Sequence, residues 1–131
     1  MSHFTISEFE KSETANKLGY NNNIPVSLYP NVQRLIKNVL EPIRTFIGCA
    51  VYINSGYRCP LLNKAVGGVP SSQHVLGMAA DITTKDRKKD LKIVDWVASN
   101  LEFDQMIVYK TFVHISYNEN RNRHEIIYKA K

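Results

Sequence analysis

No stretch of this sequence approaches the roughly 20 consecutive apolar residues that cross a membrane, so no membrane partner is expected. The opening residues, Met1-Ser2-His3-Phe4-Thr5, lack a basic segment followed by an apolar one. No signal peptide is visible, and synthesis in the cytoplasm is expected. Cysteine is scarce: Cys49 and Cys59 are the whole complement, and they lack the Cys-x-x-Cys spacing of a zinc ribbon or redox pair. Free thiols are the expectation in a reducing compartment. A bridge stays geometrically open, because both lie near a strand end and the loop after it. There is no internal repeat, no low-complexity segment and no nucleic-acid-binding signature, so nucleic acid is not expected as a partner. Acidic residues are outnumbered, 12 against 17 basic, giving a net charge of +5. A basic surface suits an anionic partner such as an acidic wall polymer. The two densest runs, Lys85-Asp86-Arg87-Lys88-Lys89 and Arg121-Asn122-Arg123-His124, read as solvated surface.

What is present is enough for one core. At 131 residues, 44% hydrophobic and 22% charged, the chain reads as one folded domain spanning 1–131, and a monomer is expected. Residues 3–18 read as a short helical lead-in, with Thr5 or Ser7 as cap and Glu8 placed for a capping box on Thr5. A loop runs from Gly19 to Pro25. Val32, Leu35, Ile36, Val39, Leu40 and Ile43 then recur at helical spacing, with Pro42 set to kink or divide the helix before Gly48 ends it. A strand is expected at Ala50–Ile53 and a long functional connection from Asn54 to about Met78. Further elements are a strand at Ala79–Ile82, a helix over Lys88–Asn100, a hairpin of Phe103–Tyr109 with Phe112–Tyr117, and a last strand at Glu125–Tyr128.

Three polar residues stand out against this background. His74 sits in Ser72-Gln73-His74-Val75-Leu76-Gly77-Met78-Ala79-Ala80-Asp81, and His114 interrupts the apolar run Phe112-Val113-His114-Ile115. Two imidazoles and a carboxylate form a donor set suited to zinc, leaving a fourth tetrahedral position open, as catalytic zinc requires. Gly77, Ala79 and Ala80 are small enough to let the backbone pass close beneath a metal. Taken singly, each residue has an ordinary alternative: His114 as a satisfied core histidine, Asp81 as a cap or turn residue.

Ser72-x-His74-x-x-Gly77-x-Ala79-x-Asp81, followed by Val113-His114-Ile115-Ser116, resembles the zinc D-alanyl-D-alanine carboxypeptidase and L-alanyl-D-glutamate endopeptidase family, whose metal scaffold recurs in the hedgehog signalling domain. Ser55-Gly56-Tyr57-Arg58 with Leu62-Asn63 and Val66-Gly67-Gly68 is similar to the family's substrate loop. Phe4-Thr5-Ile6-Ser7-Glu8-Phe9, Asn38-Val39-Leu40-Glu41-Pro42-Ile43-Arg44 and Phe103-Asp104-Gln105-Met106-Ile107 resemble a short bacterial and phage subgroup. The resemblance reaches about Tyr117. It implies an α+β fold, a small antiparallel sheet with flanking helices, and Zn²⁺ held by His74, Asp81 and His114. It implies peptidoglycan stem peptides as substrate, with Arg58 facing a substrate carboxylate or the scissile carbonyl. Ser72 would hydrogen-bond substrate or order the loop, and Gln73 would stand in the polar wall. A phage-type lysin released by a holin, or a component of a phage particle, fits the size.

One expected part is missing. Relatives place a carboxylate base three or about six residues before the last histidine ligand; those positions are Thr111 and Val108. The nearest acids are Glu102, Asp104 and Glu119. Hairpin register decides among them, because side chains alternate across a strand. With Val108 opposite His114, Asp104 lies on the metal's face and is the expected catalytic base. With Ile107 opposite His114, Gln105 and Tyr109 point there instead, and Tyr109 can donate to an oxyanion.

Overall fold

The structure, a computed structural model, describes residues 3–129. Its elements are helices α1 (Ile6–Glu10), α2 (Glu13–Leu18), α3 (Tyr29–Leu35), α4 (Glu41–Ile47), α5 (Pro60–Ala65) and α6 (Arg87–Asn100), and strands β1 (Tyr52–Ser55), β2 (Ala79–Thr83), β3 (Gln105–Val108), β4 (Val113–Ser116) and β5 (Glu125–Tyr128). The strands form one sheet in the order β1-β2-β4-β3-β5. The α+β class follows. Four strands are antiparallel, as expected, but β5 returns alongside β3 in parallel, so the sheet is mixed.

The helical lead-in is two short helices. Thr5 caps α1 with the reciprocal box: Glu8 N donates to Thr5 Oγ1 at 3.3 Å, and Thr5 N donates to Glu8 Oε1 at 3.0 Å. Pro42 divides the next helix as its chemistry requires. It has no N–H for an i→i−4 bond, and the turn before α4, Ile36–Leu40, widens to π geometry. The long connection after β1 is less irregular than the sequence suggests. It contains α5, which Cys59 caps, and a 3₁₀ turn at Gln73–Leu76. Cys49 and Cys59 are free thiols.

One face of the sheet is sealed by helices. Phe9, Val32, Leu35, Val39, Leu40 and Ile43 pack with Ile93, Val94 and Val97 of α6 against Ile82, Met106, Val108, Val113 and Ile115. The strand residues on this face alternate with those on the other, so β3 buries Met106 and Val108 while Gln105 and Ile107 are half-exposed. The uncovered face carries the candidate site.

Candidate metal centre

Register puts the polar residues in one row across the sheet. Ser55 pairs with Asp81, Asp81 with His114, and His114 with Ile107. His74 reaches the row from the 3₁₀ turn. Ser72 Oγ caps that turn by accepting from His74 N at 3.2 Å. Gly77 ends it with φ +72, a left-handed conformation that leads straight into β2. A Cβ there would also meet Val32 Cγ2 at 2.8 Å, so glycine is needed twice over.

His74, Asp81 and His114 converge. His74 Nε2 lies 3.2 Å from Asp81 Oδ1, His114 Nδ1 lies 3.0 Å from the same oxygen, and the two ring nitrogens are 3.2 Å apart. Tetrahedral zinc bonds of roughly 2.0–2.1 Å place ligand atoms about 3.3 Å from one another, so this triangle matches one face of such a tetrahedron. The protonation chemistry points the same way. His74 Nδ1 is 2.7 Å from the carbonyl oxygen of Gly56, which can only accept, so Nδ1 carries the proton. In the neutral ring, Nε2 then offers a lone pair toward a carboxylate that is itself an acceptor. A cation completes such a site. Burial pushes the Asp81 carboxyl up, but when the rings are protonated, hydrogen bonds from His114 and His74 and their charge outweigh it and hold the group far below the usual carboxylate range.

The backbone that holds His74 is tightly fixed. A Cβ on Gly56 would stand 2.7 Å from Phe9 Cα, so only glycine lets α1 lie against the loop that supplies this carbonyl. Tyr57 N donates to Phe9 O at 2.8 Å, and Arg58 N donates to His74 O at 3.2 Å. Arg58 is aimed by three partners: Nε donates to Ser55 Oγ at 3.2 Å, Nη1 to Asn63 Oδ1 at 3.3 Å, and Nη2 lies 3.6 Å from Asp81 Oδ2. Asn63 is fixed in turn by donating to Val69 O at 2.8 Å.

The centre opens into a cleft of about 760 Å³, lined among others by Arg58, Ser72, Gln73, Gln105, Tyr109 and Arg123. Tyr109 stacks on Phe112 with centroids 4.5 Å apart, and the Lys129 ammonium lies 5.9 Å from its ring centroid. Arg58, Ser72, Gln73 and Tyr109 therefore stand around the three candidate ligands.

Asp104 stands differently. Its place as base required Val108 opposite His114; the register found puts Ile107 there and Val108 opposite Val113. Gln105, Ile107 and Tyr109 accordingly share the cleft, and among the described residues lining it Asp81 is the one carboxylate. Asp104 is buried beside the cleft wall. Its Oδ1 accepts from Arg123 N at 3.0 Å and Arg123 Nε at 2.9 Å, and its Oδ2 from Arg123 Nη2 at 3.1 Å and Gln73 Nε2 at 2.8 Å. Burial raises its pKa, but these bonds prevail and hold it below the usual carboxylate range. Glu119 pairs instead with Arg34 at 3.2 Å. Arg123, read from the sequence as solvated charge, is thus a wall residue. The signal for it lay in register and in the parallel return of β5, neither of which a charge run reveals.

The five-stranded sheet of this α+β fold carries a His₂Asp triangle open to a cleft, a donor set suited to a tetrahedral metal ion. A family model described as Peptidase M15 matches residues 2–116. The chain belongs to the peptidase M15 family, whose members are zinc-dependent metallopeptidases. No curated protein matches it significantly.

Proposed function

We propose that this protein is a zinc peptidase that hydrolyses peptide bonds in bacterial peptidoglycan stem peptides, as a D-Ala-D-Ala carboxypeptidase or an L-Ala-D-Glu endopeptidase. The observation that carries the reading is the donor triangle of His74, Asp81 and His114 beside the aimed guanidinium of Arg58. When bound there, zinc supplies Lewis-acid chemistry, polarising a carbonyl and lowering the pKa of water to about 7. The chain's own residues do the rest. Arg58 presents a forked, permanent cation to a substrate carboxylate or to the carbonyl at the cleavage point. The Tyr109 hydroxyl is a donor for charge developing on that oxygen. Ser72 orders the turn that carries His74 and offers its hydroxyl to the peptide, and Gln73 forms the adjoining wall.

The +5 net charge favours an anionic wall, in keeping with a phage-type lysin delivered by a holin-type route or carried on a phage particle. No helix among the described residues is long and apolar enough to cross a membrane. A second reading is favoured by one specific observation: no carboxylate besides Asp81 lines the cleft among the described residues. In that reading the protein is a zinc-containing cell-wall-binding or structural phage module that has lost its base. Incubating purified protein with peptidoglycan, with and without a chelator, separates the two. Chelator-sensitive release of stem-peptide fragments, identified by mass, is the outcome expected of the peptidase. Retention on the wall with no fragment released is the outcome expected of the module.

A further inference from the structure

Asp104 is 4% exposed and accepts four hydrogen bonds, three from Arg123 and one from Gln73. A carboxylate so paired has no proton to give, so an amide that faces it can bond to it only through its NH₂ branch. The two branches of an amide diverge from one carbon. With Nε2 of Gln73 held at 2.8 Å from Asp104 Oδ2, its oxygen is directed elsewhere. Gln73 lines the cleft, immediately before His74, and no described residue donates to its Oε1.

The chemistry around that oxygen gives it a use. The wall also carries the cations Arg58, Arg123 and Lys129, the hydroxyls of Ser71, Ser72 and Tyr109, and the amide of Gln105, whose Nε2 donates to Glu125 Oε1 at 2.6 Å. A peptide presents N–H donors and carbonyl acceptors in alternation; the cations read only the carbonyls, and an N–H needs an acceptor such as a side-chain amide oxygen. An ammonium group is disfavoured beside the cations Arg58 and Lys129. We infer that the Arg123–Asp104 pair is a positioning device, turning Oε1 of Gln73 into the cleft as a fixed acceptor for a backbone N–H of the bound peptide. Arg123 and β5 lie beyond residues 2–116, the span of the family match, so the segment 117–129 supplies the cation of the pair. The identity of the ligand rests on the peptidase reading above; the orientation of the amide does not.

The test uses the full chain loaded with zinc and a synthetic stem peptide. Gln73→Glu sets two carboxylates against each other and should raise KM about 3–10-fold, the effect of one lost neutral hydrogen bond, with kcat within about twofold. In the double variant Gln73→Glu/Asp104→Asn the introduced amide donates to the introduced carboxylate, an acceptor faces the cleft again, and KM should return to within about twofold of the parent. Gln73→Leu, which has no acceptor, should not be rescued by Asp104→Asn. A double variant no better than Gln73→Glu overturns the inference. So does an Asp104→Asn whose kcat falls about 10²–10⁴-fold at unchanged KM, since that marks Asp104 as the proton acceptor. A readout free of substrate accompanies the kinetics: the Gln73 side-chain amide protons should exchange slowly with solvent in the parent and rapidly in Asp104→Ala. Equal exchange in the two overturns the positioning device. Failure of the parent to cleave or bind any stem peptide overturns the peptidase reading and leaves the exchange result to decide the amide.

Discussion

Asp81 and Asp104 are both buried carboxylates approached by nitrogen at hydrogen-bond distance, 3.0 and 3.2 Å for the first and 2.8 to 3.1 Å for the second. The nitrogens differ. Those around Asp104 are a guanidinium, a backbone amide and a side-chain amide, all of which carry protons. Those around Asp81 are two imidazole nitrogens, and the one on His74 has its ring proton committed to the far side, on Gly56 O. Burial of a charge is tolerated when donors satisfy it, and Asp104 is satisfied in full. Asp81 has His114 Nδ1 at 3.0 Å and the Arg58 guanidinium at 3.6 Å, but a neutral His74 turns a lone pair toward it, and that contact becomes favourable only when a proton or a metal ion stands between them. The comparison teaches that burial and a charged neighbour do not distinguish a metal ligand from a wall latch; the count of available protons does.

The largest expected effect breaks the Asp81 side of the comparison. His114→Ala should bring bound zinc from about one equivalent to near none by metal analysis. Removing even an outer-sphere partner typically costs about 10–100-fold in metal affinity, and a ligand costs more. Equal zinc in the parent and in a His74→Ala/His114→Ala double variant would rule out this centre. Next is Arg58→Lys, which keeps the charge and loses the fork between Ser55, Asn63 and Asp81. Turnover should fall roughly 10–100-fold, the scale of a charge-assisted hydrogen bond. Zinc content and Tm should barely change. A large drop in Tm with normal turnover would make Arg58 a structural residue.

Asp81 and its partners were legible in the sequence because their signal is local. Ser72 to Asp81 form one compact motif, and His114 breaks an apolar strand where a core residue belongs. Thr5 with Glu8, and Pro42 within a helical stripe, were legible for the same reason: each acts within a few residues of itself. Asp104 was not, because its role depends on pairing. One residue of hairpin register exchanges the faces of β3, and neither the turn between β3 and β4 nor the apolar pattern of Phe103–Tyr109 fixes that residue. Arg123 was further out of reach. It stands two residues before a parallel strand, and such pairing joins segments with no shared turn to announce it. The helix α5 was hidden by the Pro and Gly around it, although Pro60 sits at its first position, where proline is at home.

The smallest expected effect sharpens the Asp104 side. Its carboxyl is held below its unfolded pKa, which is near 3.9, mainly by Arg123 against the opposing effect of burial. A group depressed in the folded state adds stability that is fully present above the unfolded pKa. That stability is lost as the pH falls from about 4 through the folded value. Because the Arg123 side chain is 45% exposed and can hydrate when released, losing its hydrogen bonds to Asp104 should cost only a few degrees of Tm in a chain of this size. Metal-free protein should therefore show an acid limb in Tm below about pH 4, and Asp104→Asn should lower Tm at pH 7 while flattening that limb by the same few degrees. Adding zinc separates the two carboxylates. Protons compete with metal for His74, His114 and Asp81, so zinc-loaded protein should lose its extra stability at a higher pH than the Asp104 limb. The Asp104→Asn increment at pH 7 should be the same with and without zinc, because no donor is shared between the two clusters. An increment that changes by more than about 0.5 kcal/mol on zinc loading would mean the latch and the metal centre are coupled through Gln73 and His74.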